Sequence, residues 1–112
     1  MNSHSEEMRR TAFQKSAPLK LAPVEALQYA TTYLKERGYR AGPAGRPNHL
    51  FVLGGAEGGL PRVTGEISAR ANVGKPGTTL FSVDGCGERL GPTLKELLSA
   101  LRLESKSRLT PK

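Results

Sequence analysis

The residues from Arg62 to Ala71 alternate without exception between two kinds of side chain, and this constrains the fold strongly. Residues 63, 65, 67, 69 and 71 are small or apolar, whereas residues 62, 64, 66, 68 and 70 are polar or charged. Because successive side chains of a β-strand point to opposite faces, the pattern predicts a strand between a core and solvent. One solvated face favours an antiparallel sheet, since parallel sheets are covered on both sides.

A helix is predicted on each side of the strands. Pro23 is typical of a first helical turn, and Gly38 marks the end of the first helix as a C-cap. The second helix is expected to begin near Pro92, with Thr93 as N-cap and Glu96 completing a capping box. Leucines at three- and four-residue spacing then form its apolar face.

Two further strands are expected at His49–Leu53 and Thr78–Val83, separated from the alternating strand by glycine-rich turns. The segment Gly54–Gly59 is predicted to be a mobile hairpin loop, and Tyr39-Arg40 is a possible start of a fourth strand. The predicted fold is therefore α+β: a helix, an antiparallel meander of three strands, or four, and a helix. Both helices are expected on one face of the sheet.

The 112 residues fit one small domain. Residues 1–20 are expected to be a basic N-terminal arm that is flexible, or that folds only on a partner, because their few apolar residues have no period. Residues 21–103 form the predicted domain, and residues 104–112 a basic C-terminal tail. The net charge of +7 comes from 17 basic and 10 acidic residues. It resides outside residues 49–90, where four basic and four acidic residues cancel.

An exposed strand face with basic residues is a candidate nucleic-acid surface, because arginine binds phosphate or guanine and hydroxyls fix the register on the backbone. The candidate binding residues lie on that face, in loops and in the termini: Arg62, Thr64, Ser68, Arg70, Arg46, Lys75, Arg9, Arg10, Lys106 and Arg108. Glu66 at the centre of the row argues against this interpretation, since a carboxylate repels phosphates. The alternative is an ordinary solvated strand face.

Several chemistries are not expected. The glycine-rich segments lack the Walker pattern, so no nucleotide cofactor is predicted. His49 has no second histidine or cysteine at ligand spacing, so no metal site is predicted. Cys86 is the only cysteine, which suits the reducing cytoplasm, and the dipole of the following helix is a possible cause of a lowered thiol pKa. No transmembrane segment or secretory signal is predicted, and no membrane partner is expected.

The order helix, three strands, helix is that of the double-stranded-RNA-binding fold. The segments Leu34–Tyr39, Asn48–Phe51 and Gly91–Leu98 resemble those of HicA-type toxins, which share this fold. That resemblance implies a small ribonuclease whose histidine opens the second strand, and His49 is the residue in that position. The Gly-Ser pair that precedes the family's histidine is replaced here by Pro47-Asn48. A structural or solvated role for His49 is the alternative.

Three functional hypotheses follow. The first is a small, non-catalytic cytoplasmic module that binds nucleic acid or acts as a regulator, through the strand face and the basic termini. The second is a protein-interaction or inhibitor module, acting by strand addition or as a homodimer. The third is a ribonuclease resembling the HicA type, with His49 as its catalytic residue. Tyr29, Tyr33 and Tyr39 are candidate stacking platforms for bases, or core residues.

Overall fold

The computed structural model describes residues 3–58, 60–72, 74 and 76–109. They form a small α+β domain with a five-stranded antiparallel sheet. The helices are α1 (Ser3–Thr11), α2 (Pro23–Glu36) and α3 (Leu90–Leu109). The strands are β1 (Ala12–Leu19), β2 (Arg40–Pro43), β3 (His49–Leu53), β4 (Thr64–Ala71) and β5 (Thr79–Cys86).

The strands lie in the order β1-β5-β4-β3-β2. Strands β2 to β5 form the meander expected from the sequence, and Tyr39-Arg40 does lead into a strand of its own. The fifth strand, β1, was not predicted. It pairs with β5 over its whole length, from Ala12 opposite Cys86 to Leu19 opposite Thr79. The topology therefore differs from the double-stranded-RNA-binding order in two ways: the meander has four strands and not three, and an additional helix and strand precede it.

Residues 12–19 belong to the sheet, so the expectation of a flexible arm over residues 1–20 differs from the structure. Ala17, Leu19 and Leu21 are almost fully buried, and their burial holds the segment on the domain. Lys20 strengthens the attachment, because its N–H donates to Ser105 Oγ at 2.7 Å and its Nζ donates to Thr78 Oγ1 at 2.8 Å. The folded domain thus begins before residue 21.

Helix α2 has the bounds that its sequence predicts. The Glu25 carboxylate accepts the N–H of Ala22 at 3.3 Å at the start, and Gly38 adopts a φ of +89° just after the end. Ala26, Ala30 and Leu34 are fully buried along one side of the helix. This side faces β2, β4 and β5, with which α2 is in contact.

Helix α3 begins at Leu90, earlier than predicted, and continues to Leu109. Thr93 is therefore not an N-cap: it lies in the first turn, where its hydroxyl donates to the Arg89 carbonyl at 2.8 Å. Residues 104–109 belong to the helix and not to a tail, and Ser105 is buried against Lys20. Residues 1, 2 and 110–112 of the predicted arm and tail lie outside the described residues.

The core contains the small and aliphatic side chains of α2, α3 and the sheet, around Phe81 at its centre. Helix α3 contacts β1 and β5, and the two long helices contact each other. The alternation of β4 is as expected at its centre, where Ile67 and Ala69 are 1% exposed and Glu66 and Arg70 are exposed. Ala71 was expected on the core face, but it is exposed at the end of the strand. Strand β4 begins at Thr64 and not at Arg62 as predicted, so Arg62 precedes the strand in a bend.

Candidate functional site

The strand register defines a second face of the sheet, which we call the open face. Its residues alternate with the buried ones, and directly paired residues of neighbouring antiparallel strands lie on the same face. The open face includes Gln14, Ser16 and Pro18 of β1, Leu80, Ser82 and Asp84 of β5, Thr64, Glu66, Ser68 and Arg70 of β4, His49, Phe51 and Leu53 of β3, and Arg40 of β2. It contains three of the predicted binding residues of β4.

A row of small polar residues crosses the middle of the open face. Ser16 is opposite Ser82, Ser82 is opposite Ser68, and Ser68 is opposite His49. The hydroxyl oxygens of Ser16 and Ser82 are 2.7 Å apart, a hydrogen bond in which either atom donates. These four residues line a shallow hollow of about 220 Å³, which Gln14 and the carboxylates of Glu66 and Asp84 complete.

His49 therefore lies beside a serine and near two carboxylates, which are the residue types of a nucleophilic triad. Within the described residues, however, no hydrogen bond joins the His49 imidazole to Ser68 or to a carboxylate. A nucleophile and its base must lie at or near hydrogen-bonding distance of each other, and a third group must orient the base. The predicted catalytic role of His49 gains no support from this geometry.

Apolar side chains flank the polar row. Phe51, Leu53 and Leu80 are each partly exposed on the open face. Phe51 is opposite Gly42 of β2, and its ring fills the space beside that glycine, since a Cβ there would lie 3.1 Å from the ring. The ring therefore extends the apolar area towards the β2 edge. The open face thus combines an acidic, hydroxyl-rich centre with apolar flanks.

The remaining predicted binding residues do not converge on this face. Arg46 is exposed in the turn before β3, and Arg9 and Arg10 belong to α1. Arg10 Nη2 donates to Glu88 Oε1 at 3.2 Å, which forms an exposed ion pair. Lys106 is exposed on α3. Lys75 and the side chain of Arg108 lie outside the described residues.

A buried carboxylate that sequence reasoning missed connects the glycine-rich loop to α3. Glu57 Oε1 accepts the N–H groups of Arg89 at 2.8 Å and Leu90 at 2.9 Å, and Oε2 accepts the Tyr39 hydroxyl at 2.6 Å. Arg89 Nε donates to the Tyr39 oxygen at 3.0 Å and lies 3.6 Å from Glu57 Oε2. This carboxylate satisfies backbone donors at the positive end of the helix. The loop is anchored, in contrast to the mobile loop predicted.

The network shifts the pKa values of its members in opposite directions. Burial alone raises the pKa of Glu57, but hydrogen bonds from Tyr39, Leu90 and Arg89, together with the Arg89 charge, lower it overall below its ordinary value. Burial and the hydrogen bond to Glu57 raise the pKa of Tyr39. Both shifts keep the carboxylate charged and the phenol protonated at neutral pH, as the hydrogen bonds require.

The lowered pKa predicts how Glu57 contributes to stability across pH. The contribution is fully present above the unfolded-state pKa of a glutamate, about 4.3, and is lost as the pH falls through the lower folded-state pKa. We therefore expect the free energy of unfolding to fall less steeply below pH about 4 in Glu57→Gln than in the wild type. Urea unfolding followed by circular dichroism over an acid pH series measures the difference. Equal slopes in the two proteins would contradict it.

Cys86 at the end of β5 is partly buried and packs against the core. Burial raises the pKa of its thiol, and the nearby Asp84 carboxylate raises it further. The sequence suggested the opposite direction, through the dipole of the following helix. The N-terminus of that helix is already capped by Glu57, and a carboxylate, not a cation, is the charge that acts on the thiol. A raised pKa disfavours the nucleophilic thiolate.

The three tyrosines occupy two environments. Tyr39 is buried in the Glu57 network, so it offers no exposed platform for a base. Tyr29 and Tyr33 lie on α2 with their ring centroids 6.3 Å apart, partly buried against the core. The Arg37 guanidinium covers the Tyr33 ring at 3.4 Å from the centroid. These rings therefore already have intramolecular partners.

Among the described residues, no group of three or more histidine, cysteine or acidic side chains is placed to hold a metal ion. In the same part of the chain, no helix combines the length and apolar character needed to cross a membrane.

Comparisons with known proteins give one distant structural likeness. No protein-family model matches the chain, and no curated protein matches it. The chain is similar to the crystal structure of DR_A0006 from Deinococcus radiodurans, with 12% sequence identity and a TM-score of 0.46. The match covers 84% of this chain and 96% of that one. This likeness assigns no function to the open face or to the Glu57 network.

Proposed function

We propose that this protein is a small, non-catalytic cytoplasmic module whose open face binds the surface of another protein molecule. In this proposal both long helices cover the opposite face of the sheet. The observation that carries it is the position of Phe51, Leu53 and Leu80, three partly exposed apolar side chains beside a hydroxyl-rich centre. Exposed apolar side chains next to polar groups able to hydrogen bond are the components of a protein interface.

Charge favours protein binding over nucleic-acid binding at this face. Glu66 and Asp84 are opposite each other on β4 and β5 and are both exposed, so the centre of the face is acidic. Phosphate binding depends on neutralising the backbone with cations, and two carboxylates at the centre oppose it. Arg70 lies towards one end of the face, Arg40 on its β2 edge and Arg62 beyond its other end. These separated arginines differ from the continuous basic patch of a nucleic-acid reader.

The sheet edges favour face binding over strand addition. Strand β1 carries Lys15 and Pro18, and β2 is four residues long and ends in Pro43. Lysine, proline and short length are the features by which natural edge strands resist pairing with another chain. We therefore assign the interaction to the face of the sheet and not to its edges.

Site-specific photocrosslinking tests this proposal in living cells of the native host. A benzophenone side chain would replace Thr64 or Gln14, which are exposed on the open face, and in a control would replace Glu96 on the solvent side of α3. We expect discrete protein adducts from the two open-face positions and none from position 96. Equal adducts from all three positions, or none from any, would contradict the proposal.

A second measurement tests whether the open face binds nucleic acid instead of protein. Labelled duplex DNA, duplex RNA and single strands would be titrated with the full chain at low and near-physiological salt. We expect weak binding that does not change in the variant Ser68→Glu. Binding that persists at near-physiological salt and is lost in Ser68→Glu would assign the open face to nucleic acid and overturn the proposal.

A further inference from the structure

The centre of the open face contains an unfavourable charge arrangement. Glu66 and Asp84 are directly opposite on neighbouring strands, where like charges destabilise a sheet. Within the described residues neither carboxylate has an ion-pair partner, although the chain as a whole carries a net charge of +7. A cation supplied by a bound molecule would relieve this repulsion, so the arrangement indicates a partner with a positive group at this place.

A suitable cation, Arg70, lies on β4 like Glu66 but is too distant to pair with either carboxylate of its own chain. Arg70 is four residues after Glu66 on the open face, with Ser68 midway between them. At the rise of a β-strand, positions four apart are separated by about 13 Å. Arg70 and Glu66 therefore do not pair within one chain, and the two charges lie at equal distances on either side of Ser68.

This symmetry leads to a specific partner. We propose that the open face binds a second copy of this chain, with a two-fold axis running across the strands along the row Ser16, Ser82, Ser68 and His49. Rotation about this axis exchanges the places of residues 66 and 70. Each Glu66 then faces the partner's Arg70, and each Arg70 faces the partner's Glu66, as an isologous interface requires. The inference rests on the proposed function, because it names the protein that the open face binds.

The side chains on the axis permit such an arrangement. Two sheets pack face to face about 10 Å apart, and the serine hydroxyls of the central row are short enough for this approach and able to hydrogen bond across it. Phe51 and Leu53, which are partly exposed in a single copy, are the apolar part of the contact.

The area of the open face limits the expected affinity of the dimer. Five strands of at most eight residues span at most about 24 by 27 Å, an area of roughly 600 Å². A standard interface buries about 800 Å² on each partner. The dimer is therefore expected to be in equilibrium with the monomer and to depend on protein concentration, unlike an obligate dimer with a large apolar interface.

A charge-swap experiment tests this pairing. Sedimentation equilibrium over a concentration series measures the dimer dissociation constant of the wild type, Glu66→Arg, Arg70→Glu and the double variant. Each single variant places like charges opposite each other twice per dimer, and we expect it to weaken the dimer by about a hundredfold or more. The double variant restores both pairs between copies, and we expect its dissociation constant to return to near the wild-type value.

Restoration in the double variant is diagnostic because the two positions are too far apart to pair within one chain. Arg102→Glu on the exposed surface of α3 is the matched control for net charge, and we expect it to dimerise like the wild type. Circular dichroism shows that each variant is folded, which is expected because the exchanged side chains are exposed.

Two results would overturn the inference, and they leave the proposed function separately testable. A wild-type chain that is monomeric at every concentration excludes the homodimer, and photocrosslinks from Thr64 to a different protein would then still support the open face as a protein-binding surface. A double variant as weak as the single variants excludes the pairing of Glu66 with Arg70 between copies. Absence of both self-association and open-face crosslinks would remove the proposed function as well.

Discussion

Replacing Glu57 with alanine is expected to lower the free energy of unfolding by about 2–4 kcal/mol, a large fraction of the stability of a small domain. The side chain is 7% exposed and accepts hydrogen bonds from two backbone N–H groups and from Tyr39. Truncation leaves the partly buried Leu90 N–H and Tyr39 hydroxyl without this acceptor, and an unsatisfied buried donor costs about 1–3 kcal/mol. It also removes the contact that joins the glycine-rich loop to the helix.

Urea unfolding followed by circular dichroism at neutral pH measures this loss. Glu88→Ala is the matched control, because it removes a carboxylate from a neighbouring position that forms an exposed ion pair with Arg10. We expect that control to change the free energy of unfolding by less than about 1 kcal/mol. If the two variants were equally stable, the Glu57 network would not be the anchor of the loop.

The parts of the fold that sequence predicts well are those determined by local patterns. The alternation along β4 and the terminal signals of α2, Pro23 and Gly38, act within one element. The bounds of α2 could therefore be predicted almost to the residue, and β4 could be predicted apart from its first residues. The meander also follows from the sequence, because neighbouring strands joined by short turns pair with each other.

The N-terminal strand could not be predicted because its determinants are distant in sequence. Residues 12–19 show no full alternation, and only Ala17 and Leu19 are buried in the strand. The backbone pairs with β5, whose residues are about seventy positions later in the chain. Pro18 weakened the prediction further, yet a proline is tolerated at this position because β1 is an edge strand.

The candidate site was predicted only in part, for the same physical reason. Thr64, Ser68 and Arg70 could be assigned to a solvated face from their period alone. Their neighbours on that face, Asp84 and the serines of β1 and β5, depend on the register between strands, which no local pattern determines. The charge balance of the face, and with it the preference for a protein partner, therefore became visible only in the structure.

Replacing Gly65 with valine is expected to destabilise the domain by about 3 kcal/mol, at the upper end of the range for an overpacked core. Gly65 is directly opposite Gly85 on the buried side of β4 and β5, and a Cβ at residue 65 would lie 2.8 Å from the Asp84 carbonyl oxygen. The clash is with backbone, so it must be relieved by separating the two strands. Gly55→Val is the control, because a Cβ at residue 55 would meet no atom within 4 Å. A Gly65→Val protein with the urea midpoint of that control would show that the two strands can separate at no cost, and the close approach of β4 and β5 would then not be a requirement of the fold.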